Sequence, residues 1–448
     1  MKISHFIDTV TSQIQSREAK EYVKAELSQH VQQSKQSWVQ RGYSEIEAEE
    51  KAVREMGSPI SLGKSLNKLH KPKVDWLLIS LLAGILLLSF LPIMAVNQGK
   101  YLEFFNLNLI TMIRNKVIFI IMGFLFVICM MYIDYRILKR FGYLFYAAGA
   151  GLIISLCKFS NKLIEGESMI EIGAFDIQSW MAIPLFLIAW ASFFSTATFK
   201  LWQGIGLFGV SVLLFLQLAN LPMLYIYIAL VGVLFLQSRF TRKEKILVVC
   251  AAILLVGGII VSSVVSYLKG YIAPYQIDRI LGFINPEKYP TGSGYLYLTL
   301  KKALENARFF GAENIDFLAE AHTTLVFGNL IQTFGYAMGI VIFMILAAFL
   351  ARFLLISRSI KDAFGKLLII GCVTIFAAQF LYSVGMTFGL LPLSSIPLPF
   401  MSYGLMPTVL NAFLVGMVLS VYRRKHLIRK TVGYEEVSQV VDTKKANQ

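Results

Sequence analysis

The sequence predicts an all-α integral membrane protein of about ten transmembrane helices, preceded by a small cytoplasmic helical domain at its N-terminus. Two observations support this prediction. Of the 448 residues, 56% are hydrophobic and only 15% are charged, and a soluble domain with so little charge could not cover its own surface. Apolar runs long enough to cross a bilayer, which takes about 20 mostly apolar residues, recur from Trp76 to Tyr422.

Residues 1–72 are predicted to form short amphipathic helices. Ser44 followed by Glu47 is a capping-box pattern, Gly57 can end a helix, and Pro59 suits the first position of the next one. The stretch 42–70 resembles the small helical prefix domains found ahead of some bacterial membrane proteins. It carries no catalytic pattern, so we expect a docking or regulatory module. Apolar residues recur at helical spacing in two groups: Ile3, Phe6, Ile7, Val10 and Ile14, then Tyr22, Val23, Leu27 and Val31.

Ten apolar segments are predicted to span the membrane. The break between the fifth and the sixth depends on Asn220 and Pro222, which give the only turn signal in a long apolar run. With the predicted boundaries, no span has an ionisable residue in its central portion. This absence disfavours a carrier driven by protons or sodium ions. The spans lie near 76–97, 115–133, 141–158, 179–198, 201–219, 220–237, 246–268, 328–351, 367–389 and 403–422.

The net charge of +15 is explained by the loops. Basic clusters follow the second, sixth, eighth and last spans, and the positive-inside rule places these loops in the cytoplasm. Both termini, including the tail 426–448, are therefore predicted to be cytoplasmic, in a bacterial plasma membrane whose anionic lipids the basic loops contact. Nucleic-acid binding is not expected. The four cysteines fall inside spans and predict packing residues, not disulfides.

The segment 269–324 lies between the seventh and eighth spans, on the predicted outer face. A connection of this length in a compact protein is usually functional or disordered. Its aromatic residues, glycines and charges of both signs predict that this one is ordered. It contains Tyr275, Arg279-Ile280, Phe283-Ile284-Asn285-Pro286-Glu287, Gly292-Ser293-Gly294-Tyr295 and Ala321-His322-Thr323. Three further motifs lie elsewhere: Ile133-Asp134-Tyr135-Arg136, Ile172-Gly173-x-Phe175-x-Ile177-Gln178, and Ile396-Pro397-Leu398-Pro399-Phe400-Met401-Ser402-Tyr403-Gly404.

These motifs, in this order on a ten-helix frame, resemble the SEDS family (FtsW, RodA, SpoVE) over residues 76–425. The resemblance implies a peptidoglycan glycosyltransferase that polymerises lipid II, or another polyprenyl-pyrophosphate-linked sugar, at the outer leaflet. It also implies a partner, a single-pass transpeptidase of the class B penicillin-binding type. The reaction needs a base for the attacking sugar hydroxyl and positive charge for the departing pyrophosphate.

The sequence departs from the family where the resemblance implies an essential aspartate, directly after His-Thr. That position is Thr324, and a threonine hydroxyl does not titrate near neutral pH, so it cannot act as the base. The family's paired glutamates further on correspond to Gln332 and Thr333, and its Gln-Pro-Ser-Glu motif reads Gln178-Ser179-Trp180-Met181. Polar positions are thus lost while the framework motifs remain.

Two groups of candidate site residues follow. The catalytic candidates are Thr324, His322, Asp316 and Glu320, and the substrate-binding candidates are Arg279, Lys301, Lys302 and Tyr295. Arg279 with one of the lysines is expected to contact the pyrophosphate. No cluster with metal-ligand spacing is present, so no cofactor is predicted, although a divalent metal stays open.

Three functions remain open from the sequence. The predicted process is peptidoglycan synthesis in cell division, shape or sporulation. The first function is a divergent lipid II glycosyltransferase with a relocated carboxylate. The second is a non-catalytic relative that scaffolds or regulates a wall transpeptidase. The third is a flippase for a lipid-linked precursor. The lost acidic residues favour the second function, whereas the retained loop motifs favour the first.

Overall fold

The computed structural model describes residues 2–15, 17–69, 73–97, 108–164, 167–172, 175–218, 220–268, 281–311, 315 and 317–425. Arg279, Asp316 and the tail 426–448 lie outside these residues. The contacts divide the chain into two units, Met1–Val74 with Tyr422–Gln448 and Asp75–Val421, and each is described by itself.

Residues 2–69, as far as the structure describes them, form four helices around an apolar core. The predicted capping box is present, because Ser44 Oγ accepts from Glu47 N at 3.4 Å and the Glu47 carboxylate accepts from Ser44 N at 3.2 Å. Gly57 takes a φ of +75° between the third and fourth helices. Phe6 and Val31 are fully buried in the core. The helices are α1 (Ile3–Ser12), α2 (Arg17–Gln40), α3 (Glu45–Glu55) and α4 (Pro59–Leu69).

The second unit is almost entirely helical, and each predicted span coincides with helical structure. Its helices are α5 (Trp76–Leu88), α6 (Leu91–Asn97), α7 (Leu109–Tyr132), α8 (Tyr135–Leu138), α9 (Gly142–Phe159), α10 (Ala182–Ser195), α11 (Leu201–Gln217), α12 (Leu221–Gln237), α13 (Arg242–Leu268), α14 (Tyr295–Asn306), α15 (Val326–Phe334), α16 (Tyr336–Arg358), α17 (Ala363–Thr387) and α18 (Leu405–Arg423). Short 3-10 turns occupy Lys139–Phe141, Ser179–Met181 and Pro286–Lys288.

Six helical stretches of the described chain are long and apolar enough to cross a membrane. They are Trp76–Val96, Leu109–Tyr132, Tyr135–Phe159, Tyr336–Arg358, Ala363–Thr387 and Leu405–Arg423. Three shorter apolar helices are Ser179–Ser195, Leu201–Gln217 and Leu221–Gln237. The predicted break at Asn220 is confirmed, since its side chain accepts from Met223 N at 3.1 Å and caps α12.

Two predicted span boundaries are wrong. The second span begins at Leu109, not near residue 115, because Asn108 caps the helix by accepting from Ile110 N and Thr111 N. Lys116, predicted to lie at the end of a span, is therefore well inside one and is 1% exposed. The expectation that ionisable side chains stay near span ends must be corrected for Lys116.

The second boundary concerns the predicted span 328–351, which consists of two helices. α15 and α16 are separated at Gly335. The φ of this residue is +89°, a conformation that interrupts the helix and that glycine adopts without steric cost. The apolar run continues across the break, so a prediction from hydropathy alone joins the two helices into one span.

A small sheet precedes α10 and was not predicted. Its strands are β1 (Lys162–Ile164), β2 (Glu167–Ile172) and β3 (Phe175–Ile177), in the order β1-β2-β3 with both pairs antiparallel. In the β2–β3 pair, Ile170 is opposite Ile177 and Glu171 is opposite Asp176. This register decides which side chains share a face of the hairpin.

A buried ion pair joins α5 to α16. Asp75 caps α5 by accepting from Leu78 N at 3.0 Å. The same carboxylate accepts from Arg352 Nε at 3.1 and 3.2 Å and from the Arg352 Nη2 group. The Asp75 side chain is 1% exposed and that of Arg352 is 26% exposed. One carboxylate therefore fixes both the start of the first span and its packing against α16.

Replacing Asp75 with alanine should lower the thermal unfolding midpoint of the purified protein. Breaking a fully buried pair costs about 3–5 kcal/mol, and the partial exposure of Arg352 reduces the expected loss to about 2 kcal/mol. Asp75→Asn keeps a capping oxygen and should lose less. Asp362→Asn is the control, because Asp362 caps α17 through Gly365 N. Equal midpoints for the wild type and Asp75→Ala would contradict this role.

Candidate functional site

A cleft of about 380 Å³ lies in the second unit, where three separate segments meet beside Phe119 of α7. The β2–β3 hairpin and the turn after it supply Met169, Asp176, Gln178 and Trp180. The end of the long outer segment supplies Thr323 and Thr324, and the irregular chain before α18 supplies Ser395, Pro397, Ser402, Tyr403 and Gly404. The segment predicted to hold the site thus contributes one wall of three.

The hairpin presents alternate residues to the cleft. Side chains two apart on a strand share a face, and directly opposed residues share it too. Met169 and Glu171 therefore lie on the same face as Asp176, which is opposite Glu171. Gln178 joins them, since its Nε2 lies 3.6 Å from Met169 Sδ. Asp176 is half-buried and lines the cleft, whereas Glu171 is exposed.

A tight turn places the two threonines in the second wall. The Glu320 carbonyl accepts from Thr323 N at 3.1 Å, from Thr324 N at 3.2 Å and from Leu325 N at 3.1 Å. Glu320 itself has a φ of +56°, an uncommon conformation for a residue with a Cβ atom. Thr324 is 4% exposed, so the turn seals its side chain into the wall just ahead of α15.

Ser402 and Tyr403 connect the third wall to the second. Ser402 Oγ donates to the Thr323 carbonyl at 2.6 Å and accepts from Leu398 N at 2.9 Å. Tyr403 N donates to the His322 carbonyl at 2.8 Å. These hydrogen bonds are buried or half-buried, and a hydrogen bond in the protein interior is electrostatically stronger than one in water.

Lys116 of α7 binds the backbone of the third wall. Its Nζ donates to the Phe400 carbonyl at 3.2 Å and to the Ser402 carbonyl at 3.4 Å. Phe400 has a φ of +62°, and the strained turn around it points these two carbonyls towards α7. The amine satisfies backbone acceptors that would otherwise be buried without a donor.

The His322 ring packs against Tyr403, with centroids 5.7 Å apart. Burial lowers the pKa of His322 to about 4, because desolvation disfavours the imidazolium. The side chain is therefore neutral at pH 7 and adds no positive charge to the site. Among the described residues that line the cleft, Asp176 is the one carboxylate, and none is a lysine or an arginine.

The cleft adjoins a second, apolar cavity of about 350 Å³. Trp180 and Met406 line both spaces. Most of the remaining apolar lining comes from α7, α9, α10 and α18, and includes Phe126, Met130, Leu185, Val409 and Phe413. A polar compartment and an apolar one thus share a boundary, which suits a ligand with a polar head and a hydrocarbon tail.

The structure brings together only part of the predicted site. Thr324 lines the cleft, His322 packs behind it, and the Glu320 backbone forms the turn. The described substrate-binding candidates are on α14 and do not line the cleft: Tyr295 is 51% exposed, Lys301 pairs with Glu287 at 3.4 Å, and Lys302 is exposed. α14 packs through Leu300 and Ala303.

Three functional candidates were missed: Asp176, Trp180 and Lys116. The alternation of Ile170, Ile172, Phe175 and Ile177 with polar residues is typical of strands and could have indicated the hairpin. It would have placed Asp176 and Gln178 on one face. No comparable signal exists for Lys116, which lies near an apparent span boundary.

Comparisons with known proteins identify the family of the chain. A family model described as FTSW_RODA_SPOVE, cell cycle protein, matches residues 75–427. The chain belongs to this family. It is 25% identical to a probable peptidoglycan glycosyltransferase FtsW of Trichlorobacter lovleyi over 327 residues, which are 69% of this chain and 83% of that relative. Stage V sporulation protein E of Bacillus subtilis is 31% identical over 157 residues, 34% of this chain and 43% of its own.

Solved structures show the same fold. A chain from a peptidoglycan synthase complex that coordinates polymerization and crosslinking superposes with a TM-score of 0.64 at 20% identity, covering 79% of this chain and 98% of that one. The rod shape determining protein RodA of Thermus thermophilus gives a TM-score of 0.55 at 17% identity, with 79% and 97% covered. The predicted SEDS membership and the all-α membrane fold are therefore confirmed.

Replacing Ser402 with alanine should loosen the cleft, because the Thr323 carbonyl and the Leu398 N–H would both lose a partner. A buried polar group without a partner costs about 1–3 kcal/mol. We expect a lower thermal midpoint and faster hydrogen exchange at the Leu398 amide. Ser155→Ala is the matched control, since Ser155 Oγ donates only within α9, to Gly151 O at 2.8 Å. An unchanged hydrogen-exchange rate at the Leu398 amide would show that Ser402 does not hold these two segments together.

Proposed function

We propose that this protein acts in peptidoglycan synthesis by binding lipid II across the cleft and the apolar cavity. The observation that supports this most directly is the shared boundary at Trp180 and Met406. The glycan head group would occupy the polar compartment, and the first units of the polyprenyl chain would occupy the apolar one. The names of several family relatives, peptidoglycan glycosyltransferases, support the process.

Location and partner follow from the same proposal. The protein is a multi-pass membrane protein, and we place it in a bacterial plasma membrane with both termini in the cytoplasm, where the basic loops satisfy the positive-inside rule. A single-pass transpeptidase of the class B penicillin-binding type is the proposed partner. The similar fold found in a synthase complex that couples polymerization to crosslinking supports this choice.

A second candidate function is a non-catalytic relative that binds the same lipid and regulates the transpeptidase. The identity of Thr324 favours it, because a buried hydroxyl at this place in the cleft cannot take a proton at neutral pH. A polymerisation assay on the wild type and on Thr324→Asp separates the two. If Thr324→Asp made glycan and the wild type did not, the wild type would have an intact site that lacks only the base.

Filling the apolar cavity should weaken lipid II binding. Val409 lines the cavity, so Val409→Trp is expected to occupy the space of the polyprenyl chain and to raise the dissociation constant at least tenfold. Val210→Trp is the matched control, because Val210 is 52% exposed on α11, and its dissociation constant should stay within twofold of the wild type.

The measurement is binding of fluorescently labelled lipid II to the full-length protein in nanodiscs, with thermal midpoints recorded to verify folding. Equal affinity of the wild type and a folded Val409→Trp would show that the cavity does not hold the lipid tail. Absence of lipid II binding by the wild type would overturn the proposed function.

A further inference from the structure

We propose that Asp176 is the catalytic base of glycosyl transfer in this cleft, in the role that Thr324 cannot take. The proposal rests on the proposed function, since it needs lipid II in the cleft. It names a residue that neither the motifs of the outer segment nor the hydropathy pattern singles out. The base would then come from the hairpin wall and not from the wall that contains Thr324.

The position of Asp176 is fixed by backbone pairing. β3 pairs with β2 through three residue pairs, and that register directs Asp176 to the same side as Met169 and Gln178. All three line the cleft together with Thr323 and Thr324. A change of register by one residue would turn Asp176 away from the cleft, so the hairpin sets the location of this carboxylate.

Charge and exposure single out Asp176 within the described lining. The other polar side chains there are amide, hydroxyl, phenol or indole groups, and the Glu171 carboxylate on the same hairpin face is exposed and lies outside the lining. Glu171 and Asp176 are directly opposed across β2 and β3, and like charges in that arrangement destabilise a strand pair. Stability of the hairpin therefore gives no reason for a carboxylate at position 176.

Glycosyl transfer between two lipid-linked molecules needs one carboxylate as the base. The sugar hydroxyl of one lipid-linked molecule gives its proton to an Asp176 oxygen, and the hydroxyl oxygen forms a bond to the anomeric carbon of a second molecule. The bond from that carbon to the pyrophosphate oxygen breaks, and the electron pair leaves with the polyprenyl pyrophosphate. The proton then passes from Asp176 to solvent, which the half-buried position permits.

The geometry of the two compartments suits this step. If the polyprenyl chain lies in the apolar cavity, its pyrophosphate and first sugar emerge past Trp180 and Met406 into the cleft. Trp180 is in the turn Ser179–Met181, directly after the hairpin. Asp176 therefore precedes the boundary residue by only four positions and faces the same compartment as the sugar.

The test is a glycan polymerisation assay with the full-length protein in lipid, alone and with class B penicillin-binding proteins of the same organism. We expect glycan from the wild type and an initial rate at least about 100-fold lower for Asp176→Asn, the contribution typical of a positioned base. Binding of lipid II should stay within threefold, because asparagine keeps the shape of the side chain. Glu171→Gln, on the same hairpin face, should stay within twofold in rate.

Two further variants keep the proposal falsifiable if Asp176→Asn misfolds. Asp176→Glu keeps the charge one methylene away and should retain more than a tenth of the rate. Asp176→Ser removes the carboxylate with a smaller polar side chain and should show the same loss of rate. If Asp176→Asn misfolds, a folded Asp176→Ser with the wild-type rate would overturn the assignment.

The outcomes separate this inference from the proposed function. A wild-type rate in a folded Asp176→Asn would overturn the assignment of the base. Lipid II binding by the wild type without glycan formation, alone or with the transpeptidases, would also overturn it, while the binding function would stand. Failure of the wild type to bind lipid II would remove the proposed function itself.

Discussion

The hydrogen bonds around Ser402 are the interaction on which the site depends. One serine hydroxyl bridges the Leu398 amide and the Thr323 carbonyl, and the next residue donates to the His322 carbonyl. Two chain segments about 80 positions apart are thereby held as one surface. Neither segment is regular, so each leaves some polar backbone groups that its own turn does not satisfy, and those groups find partners in the other segment. Without this contact the cleft would lose two of its walls.

The same constraint explains the lysine inside the second span. Irregular backbone is tolerated at membrane depth only where protein surrounds it and its polar groups find partners. The turn at Phe400 leaves carbonyls directed at α7, and Lys116 supplies the donor for two of them. Burying an amine in a span is expensive, and here part of that cost is offset by the acceptors it satisfies. Lys116 is thus best understood as support for the loop before α18, and it gives no reason to revive an ion-coupled carrier.

Much of the fold could be predicted, because long apolar runs with charged or proline-containing breaks leave few alternatives. The errors have local causes. Arg114, directly before the predicted span 115–133, made the start of α7 look like a loop, and the apolar run through Gly335 concealed the break between α15 and α16. Strands of three to six residues are too short to stand out beside helical spans. The hairpin, and with it one wall of the site, was therefore missed.

The candidate site was harder to predict for a related reason. Motif order identifies which loop resembles a polymerase site, but it cannot show which other segments meet that loop. Thr324 lines the cleft, yet any role it has depends on what faces the same space, and that comes from a segment about 150 positions earlier. The lysines of α14, in contrast, were chosen for their charge and their position in the loop, and packing by Leu300 and Ala303 leaves them on an exposed face.

Burial gives a physical reason why the acid could leave position 324. At 4% exposure, a carboxylate there would lose most of its hydration, and desolvation favours the protonated form unless nearby donors or cations compensate. The described lining of this cleft offers no lysine or arginine, and His322 is neutral at pH 7. A threonine at this place avoids the penalty. A carboxylate on the half-buried hairpin face keeps contact with water and still reaches the same compartment, so moving the charge from one wall to another lowers the cost of having it in the cleft.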